Sequence, residues 1–332
     1  MAIDKQLIVS SSPHVGTTED TRSIMLDVII ALVPALVVSI FFFGLRALTI
    51  TLVTVAAAVA AEYLYRKLMK KSSSIGDLSA VVTGILLAFN LPSSAPYWMC
   101  IVGAVFAIVI VKQLYGGIGM NFMNPALAAR AFLFSWPALM SKWPAVFEKA
   151  PLWGSTADTV TSATPLVALK NGTLPDYSIL ELFLGQHGGC LGETSAVVLL
   201  LGGVYLVLRK VITPRIPLCY IGTVALLTFI FPRGEVSNLD WMLYNVLSGG
   251  LILGAIFMAT DYSTSPVTKK GQVIFGIGCG LLTVFIRYFG SYAEGVSYSI
   301  LIMNACVWVI DRASRPRRYG VNRFARKAAE KK

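Results

Sequence analysis

Eight apolar runs, at residues 25–43, 47–65, 97–115, 193–208, 217–232, 240–260, 272–289 and 296–311, recur along this chain of 332 residues. A helix needs about 20 mainly apolar residues to cross the hydrocarbon of a bilayer, and these runs have that length or come close to it. Two shorter stretches, 76–91 and 124–138, are interrupted or bounded by Asn90, Pro92, Asn124, Pro125 and Pro137. The pattern predicts an all-α integral membrane protein with about ten transmembrane helices. Composition agrees: 56% of residues are apolar, 14% are charged and the mean hydropathy is +0.71, outside the range of soluble domains. The amino terminus lacks a basic start, an apolar stretch and a small-residue cleavage site in succession, so an unprocessed protein is expected.

The net charge of +11 raises the question of nucleic acid, but the basic residues stand in short clusters beside apolar runs. Arg312, Arg315, Arg317, Arg318, Arg323, Arg326, Lys327, Lys331 and Lys332 follow the last run directly, as a cytoplasmic anchor does. With the amino terminus inside, ten spans place Arg66, Lys67, Lys70 and Lys71, then Lys112, then Arg209, Lys210 and Arg215, then Lys269 and Lys270, on one face with that tail. The expected organisation is a cytoplasmic segment 1–24, five spans in 25–138, an outer loop 139–192, five spans in 193–311 and a cytoplasmic tail 312–332. The location expected is the cytoplasmic membrane of a bacterium or archaeon, with lipid as a partner and nucleic acid excluded.

An internal repeat fits five plus five. Gly84-Ile-Leu-Leu-Ala-Phe-Asn-Leu-Pro-Ser-Ser-Ala-Pro96 aligns without a gap on Gly254-Ala-Ile-Phe-Met-Ala-Thr-Asp-Tyr-Ser-Thr-Ser-Pro266. An odd number of spans per unit inverts the second unit relative to the first. Inverted repeats with matching interrupted helices mark folds whose binding site lies between the halves, so 84–96 and 254–266 are expected to be discontinuous segments.

Some chemistry is excluded by what is missing. Cys100, Cys190, Cys219, Cys279 and Cys306 are far apart and form no C-x-x-C pair, so this chain alone is not expected to hold an iron–sulfur cluster or a structural metal. A site shared with another subunit stays open. Neither histidine, His14 nor His187, lies in a span, which excludes bis-histidine haem within the bilayer.

Three features point to chemistry. Asp158-Thr-Val-Thr-Ser162-Ala163-Thr164, followed by Pro165-Leu166, lies in the long polar loop and resembles the signal at which FMN is esterified through its phosphate to a threonine, here Thr164. The alternative is a turn or helix cap, where Thr and Ser before Pro are common. Second, in Asn121-Phe-Met-Asn124-Pro125, Asn124 can cap a helix with Pro125 at its first position. Arg130 then falls inside that helix, where a charge needs a partner: a flavin phosphate or an acid. Third, Asp27, Glu62, Lys112, Asp261 and Arg287 lie in or at the edges of spans, with Asp261 and Asp27 the candidate ion-pathway residues.

Ser11-Ser-Pro-His14, Asn121-Phe-Met-Asn-Pro-Ala-Leu-Ala-Ala-Arg130, the Thr164 string and Asp261-Tyr-Ser-Thr-Ser-Pro266 together resemble the NqrB/RnfD family over essentially the whole chain. The resemblance implies a membrane flavoprotein subunit of an Rnf-type complex, which couples electron transfer between ferredoxin and NAD+ to Na+ or H+ translocation. It implies covalent FMN at Thr164, with Asp158, Ser162, Ala163, Asn124 and Arg130 as candidate neighbours, and leaves room for a non-covalent riboflavin. Iron–sulfur and NAD-binding flavin sites would belong to membrane and peripheral partner subunits. The competing class is a small-solute channel, because urea channels resemble the same inverted five-helix architecture; the loop and its threonine separate the two.

Overall fold

A computed structural model describes residues 20–144, 147, 164–193, 195–233 and 236–316. Among these the chain is helical, with an isolated bridge between Pro92 and Cys190.

The amino-terminal half begins with α1 (Thr21–Phe43), whose first N–H is capped by the Asp20 carboxylate at 2.7 Å. Gly44, at φ 76°, ends α1 and leads directly into α2 (Leu45–Leu68), a one-residue link that only a left-handed residue makes cheaply. After a short 3-10 turn come α3 (Ser79–Phe89) and α4 (Tyr97–Val105), which continues as a π-helical segment, Phe106–Gln113. Then α5 (Pro125–Leu133) and the single turn α6 (Pro137–Met140) close this half. Two short helices, α7 (Pro165–Lys170) and α8 (Ile179–Leu184), lie in the central loop. The second half is α9 (Ala196–Leu208), α10 (Arg215–Ile230), α11 (Asn238–Leu247), α12 (Leu251–Leu253) running into a π-helical Gly254–Met258, α13 (Lys269–Phe289) and α14 (Val296–Ser314).

Four of these helices, α1, α2, α13 and α14, are long and apolar enough to cross a membrane. The run 240–260, expected as one continuous span, instead breaks at Ser248–Gly250 and bends by 64° between Asn238–Leu247 and Leu251–Met258. The physical reason is Gly249, which sits at φ 74° and cannot continue a right-handed helix. The α9 run also starts later than expected, at Ala196 rather than 193, and α3, Tyr97–Gln113, α9 and α10 are shorter apolar helices. Of the two segments expected to be discontinuous, 84–96 leaves the helix after Phe89, and 254–266 passes from π-helix to irregular chain after Met258.

Close helix packing in lipid depends on small residues at the contacts. α13 turns Gly276 and Gly280 toward α10, where an added methyl would meet Cys219 Cβ at 2.7 Å and Thr223 Cβ at 2.6 Å. Gly202 of α9 does the same against the Ala31 carbonyl of α1 at 2.6 Å, joining the two halves. Leu32, Ile50, Phe89, Leu127, Leu206, Phe257 and Ile300 belong to one continuous buried core. The opposite faces carry Phe41 at 70%, Leu201 at 63% and Phe285 at 61% exposure, which suits contact with lipid tails.

Each break needs donors for its freed carbonyls, because lipid offers none. At the first, Arg46 donates from Nε to Ser93 O (2.9 Å) and from Nη2 to Ala95 O (3.2 Å), while Gly192 N and Leu191 N donate to Phe89 O (2.9 Å) and Leu91 O (3.0 Å). At the second, Arg287 donates from Nη1 to Asn245 O (2.5 Å) and from Nη2 to Ser248 O (3.2 Å). One arginine stitches each interrupted helix.

Candidate functional site

Thr164 is the N-cap of α7, half-buried, with Pro165 in the first helical position. Its carbonyl accepts Val167 N at 2.9 Å, but its hydroxyl makes no capping bond. The helix behind it is anchored: Leu166 and Leu169 pack with Leu182, Trp241 and Tyr244 in a second core, and Lys170 donates to Ser291 O. Leu166 also fills the space where a side chain on Gly249 would stand, so α7 rests on the break between α11 and α12. Asp158, Ser162 and Ala163 lie outside the described residues.

Arg130 and Asn124 sit in the interior between the halves. Asn124 caps α5 by accepting from Ala126 N (3.0 Å) and Leu127 N (3.3 Å), and its Nδ2 donates to Met258 O (3.2 Å) on the other half. Arg130, fully buried, forks onto Glu294: Nη1 donates to Oε1 at 3.0 Å and Nη2 to Oε2. The same Nη1 also reaches Asn90 Oδ1 (2.8 Å) and Ser297 Oγ (3.1 Å). Among the described residues, the charged partner that Arg130 hydrogen-bonds is an acid, Glu294.

A second acid stands beside this pair. Glu193 Oε1 lies 3.7 Å from Arg130 Nη2, within an ion pair but beyond a hydrogen bond, and its Oε2 accepts a long bond from Cys190 N at 3.4 Å. A methyl on Gly250 would meet Glu294 Oε1 at 2.8 Å and Glu193 Oε1 at 3.2 Å, so both carboxylates face the same break on which α7 rests. Next to Glu193 is His187, 1% exposed, whose Nδ1 donates to Gly188 O at 3.2 Å. Burial pushes this imidazole below its usual value, with the Gly188 bond opposing, and its Nε2 has no hydrogen-bond partner among the described residues. Glu193, Glu294, Asn90, Cys190 and Ser297 were not among the sequence candidates. The signal that leads to them is Arg130 itself, since a cation inside a span demands an acid, but sequence spacing does not say which one.

The ion-pathway candidates fall elsewhere. Asp261 caps its own turn, accepting from Ser263 Oγ (3.1 Å) and Thr264 Oγ1 (3.2 Å), and it lines a cavity of about 100 Å³ between the halves. Lys112, Asn121, Asn124, Ser79 and Phe257 share that wall. Asp27, on α1, accepts from Tyr205 Oη (2.9 Å) and from Arg209 Nε and Nη2 (3.2 and 3.1 Å) at the end of α9. Near the cavity, Glu62 is held by Lys112 Nζ (2.9 Å), Gln113 Nε2 (2.9 Å) and Ser74, and Lys112 also donates to Ser79 (2.6 Å).

These observations define a helical membrane protein with broken helices, an internal cavity and a buried ionic cluster between its halves. The chain belongs to the NQR2, RnfD, RnfE family, whose pattern matches residues 8–320. It is similar to a subunit of the Na(+)-translocating ferredoxin:NAD(+) oxidoreductase complex of Acetobacterium woodii, at 50% identity over 97% of this chain and 98% of that one. It is also similar to a subunit of the proton-translocating ferredoxin:NAD(+) oxidoreductase complex of Clostridium ljungdahlii, at 43% identity over 95% and 96% of the two chains. A subunit of the ion-translocating oxidoreductase complex of Stutzerimonas stutzeri shares 40% identity over 90% of this chain and 92% of its own.

Proposed function

We propose that this chain is a multi-pass membrane subunit of an ion-translocating ferredoxin:NAD+ oxidoreductase complex, that it relays electrons through FMN esterified to Thr164, and that its termini are cytoplasmic with Thr164 on the outer face. The near full-length similarity to subunits of complexes so named supports the assembly, and the state of Thr164 supports the attachment. Thr164 is half-buried at the start of an anchored helix, and its hydroxyl makes no capping bond, which leaves it uncommitted to the helix end. FMN held there would supply the electron-transfer chemistry of its ring. The chain's own contribution is placement: Pro165 fixes the start of α7, Leu166 and Leu169 hold it to α11, and the bundle keeps the site against the membrane. Two of the relatives carry different ions in their names, Na+ and H+, at similar identity, so the reading covers either.

For ion movement we assign the cavity between the halves, with Asp261 in its wall; Asp27, paired with Arg209, holds α1 to α9. Asn121, Asn124 and Ser263 in the cavity wall are the groups that would orient a second, non-covalent flavin such as riboflavin, for which its volume of about 100 Å³ would have to widen toward the roughly 300–1,000 Å³ of small-molecule pockets. Other membrane and peripheral subunits supply the iron–sulfur and NAD-binding centres in this reading. The test is the intact mass of the purified chain. An FMN phosphoester on the peptide containing Thr164, lost in Thr164→Ala, supports it, while an unmodified mass or flavin retained by the variant overturns the attachment and favours a non-redox channel.

A further inference from the structure

Five of the seven buried side-chain atoms that lack a hydrogen-bond partner among the described residues gather at the Ser248–Gly250 break and the groups facing it: Arg130 Nε, His187 Nε2, Glu193 Oε1, Ser248 Oγ and Arg287 Nε. Elsewhere among the described residues only Ser39 Oγ and Ser93 Oγ share that state, and the region where the five gather holds two carboxylates. They are not equivalent. Glu294 has the bidentate fork of Arg130, and its side chain is 15% exposed. Glu193 is 7% exposed at its side chain, stands beyond hydrogen-bond reach of the same guanidinium and has one oxygen with no hydrogen-bond partner among the described residues. The other cation that faces the break, Arg287, is directed onto Asn245 O and Ser248 O. Cys190 contributes a backbone N–H, and its thiol donates to Asn90 O (3.3 Å). His187 borders the same small space: a methyl on Gly189 would lie 3.1 Å from Glu193 Oε2 and 3.8 Å from His187 Cε1.

An ionised carboxylate in that position lacks the hydrogen bonds that make burial of a charge tolerable, whereas a carboxylic acid needs far fewer. From this geometry we propose that Glu193 is a proton-binding group: one proton from solvent forms an O–H bond at its carboxylate and leaves again as H+, while Glu294 stays ionised on Arg130. No electron moves in the step, and His187, whose Nε2 has no hydrogen-bond partner among the described residues, borders the same space. The site goes beyond the flavin reading and does not depend on it. Its position matters because Gly250, which both acids face, adjoins Gly249, on which the Thr164 helix rests through Leu166. A proton gained or lost on Glu193 changes the charge facing that support.

The experiment is infrared difference spectroscopy of the full chain in its purified complex between acid and alkaline pH, following the C=O stretch of a protonated carboxyl. The expected result is a carboxyl band that titrates in the wild type and is absent in Glu193→Gln. In Glu294→Gln, Arg130 becomes available to Glu193, so the band's midpoint should move to lower pH by at least tenfold in proton affinity. Thr164→Ala should keep the band unchanged, which separates this site from the flavin attachment. An identical band in wild type and Glu193→Gln overturns the proposal. Where Glu193→Gln fails to assemble, Glu193→Asp serves in its place, and a band with the frequency and midpoint of the wild type in that variant overturns the proposal.

Discussion

Two buried ionic groups of this molecule are built from the same chemistry and finished differently. Around Glu62, one acid meets one cation, Lys112, and Gln113, Ser74 and Ser79 complete the donors and acceptors, so that among the described residues no buried atom of the group is left without a partner. Around Arg130, two acids compete for one guanidinium and Glu193 is incompletely bonded. A closed network fixes one arrangement and holds its charges permanently. An open one leaves a group whose charge can change. The difference assigns the first a structural role and the second the capacity to respond.

The sharpest way to break this comparison is to make the same substitution in both places. Glu62→Gln strands the buried Lys112 charge and is expected to cost roughly 3–5 kcal/mol, seen as a large fall in the thermal midpoint of the detergent-solubilised chain. Glu193→Gln, which resembles the protonated side chain, should change stability by less than about 1 kcal/mol. Equal losses at both sites would erase the distinction. Replacing Glu62 and Lys112 together with methionine should recover most of the loss from the single change, since an apolar pair of similar volume is tolerated where a lone charge is not.

The support of the Thr164 helix gives the next effect. Gly249→Ala places a methyl against Leu166 at a positive φ, with an expected cost of about 1–3 kcal/mol, read as faster proteolysis around α7. Adding Leu166→Ala removes the collision but not the backbone strain, so the double variant should recover only part of the loss.

The smallest effect concerns acid. Burial lowers the folded value of His187 below the usual 6.5, so the unfolded chain takes up a proton first as pH falls. Its contribution is fully present above that value and declines from there until the folded value is passed. His187→Gln should flatten this slope in a pH series of thermal midpoints without altering stability at alkaline pH.

Much of the fold is legible in the sequence for a plain reason: α1, α2, α13 and α14 are each an almost uninterrupted apolar run of bilayer length. The bend in 240–260 is harder to see, since Ser248-Gly249-Gly250 is small and mild in hydropathy and leaves the stretch apolar enough to pass as one span. The positive φ that breaks the helix is a backbone property that composition does not reveal. At the candidate site, Thr164 and Arg130 stand out by their surroundings, one in a polar loop and one inside an apolar helix. Glu193 does not, because it lies at the edge of an apolar run, where acids are ordinary. Its burial follows from the return of residues 187–193 against the first break, pairing with Phe89 and Leu91, a contact spanning about a hundred positions. Likewise, the hold of α7 on Gly249 joins residues too distant for any local pattern to connect.

The π-helical ends of α4 and α12 add a mechanical consequence. In each, an N–H reaches back five residues, Leu114 to Val109 O at 3.0 Å and Ala259 to Gly254 O at 2.7 Å, so each turn carries one residue more than an ordinary helix. Restoring regular winding would turn the residues beyond it by about 100° around the axis. For α4 that rotation would carry Lys112 and Gln113 away from Glu62, so the ion pair acts as a latch on the helix's winding as well as on its position.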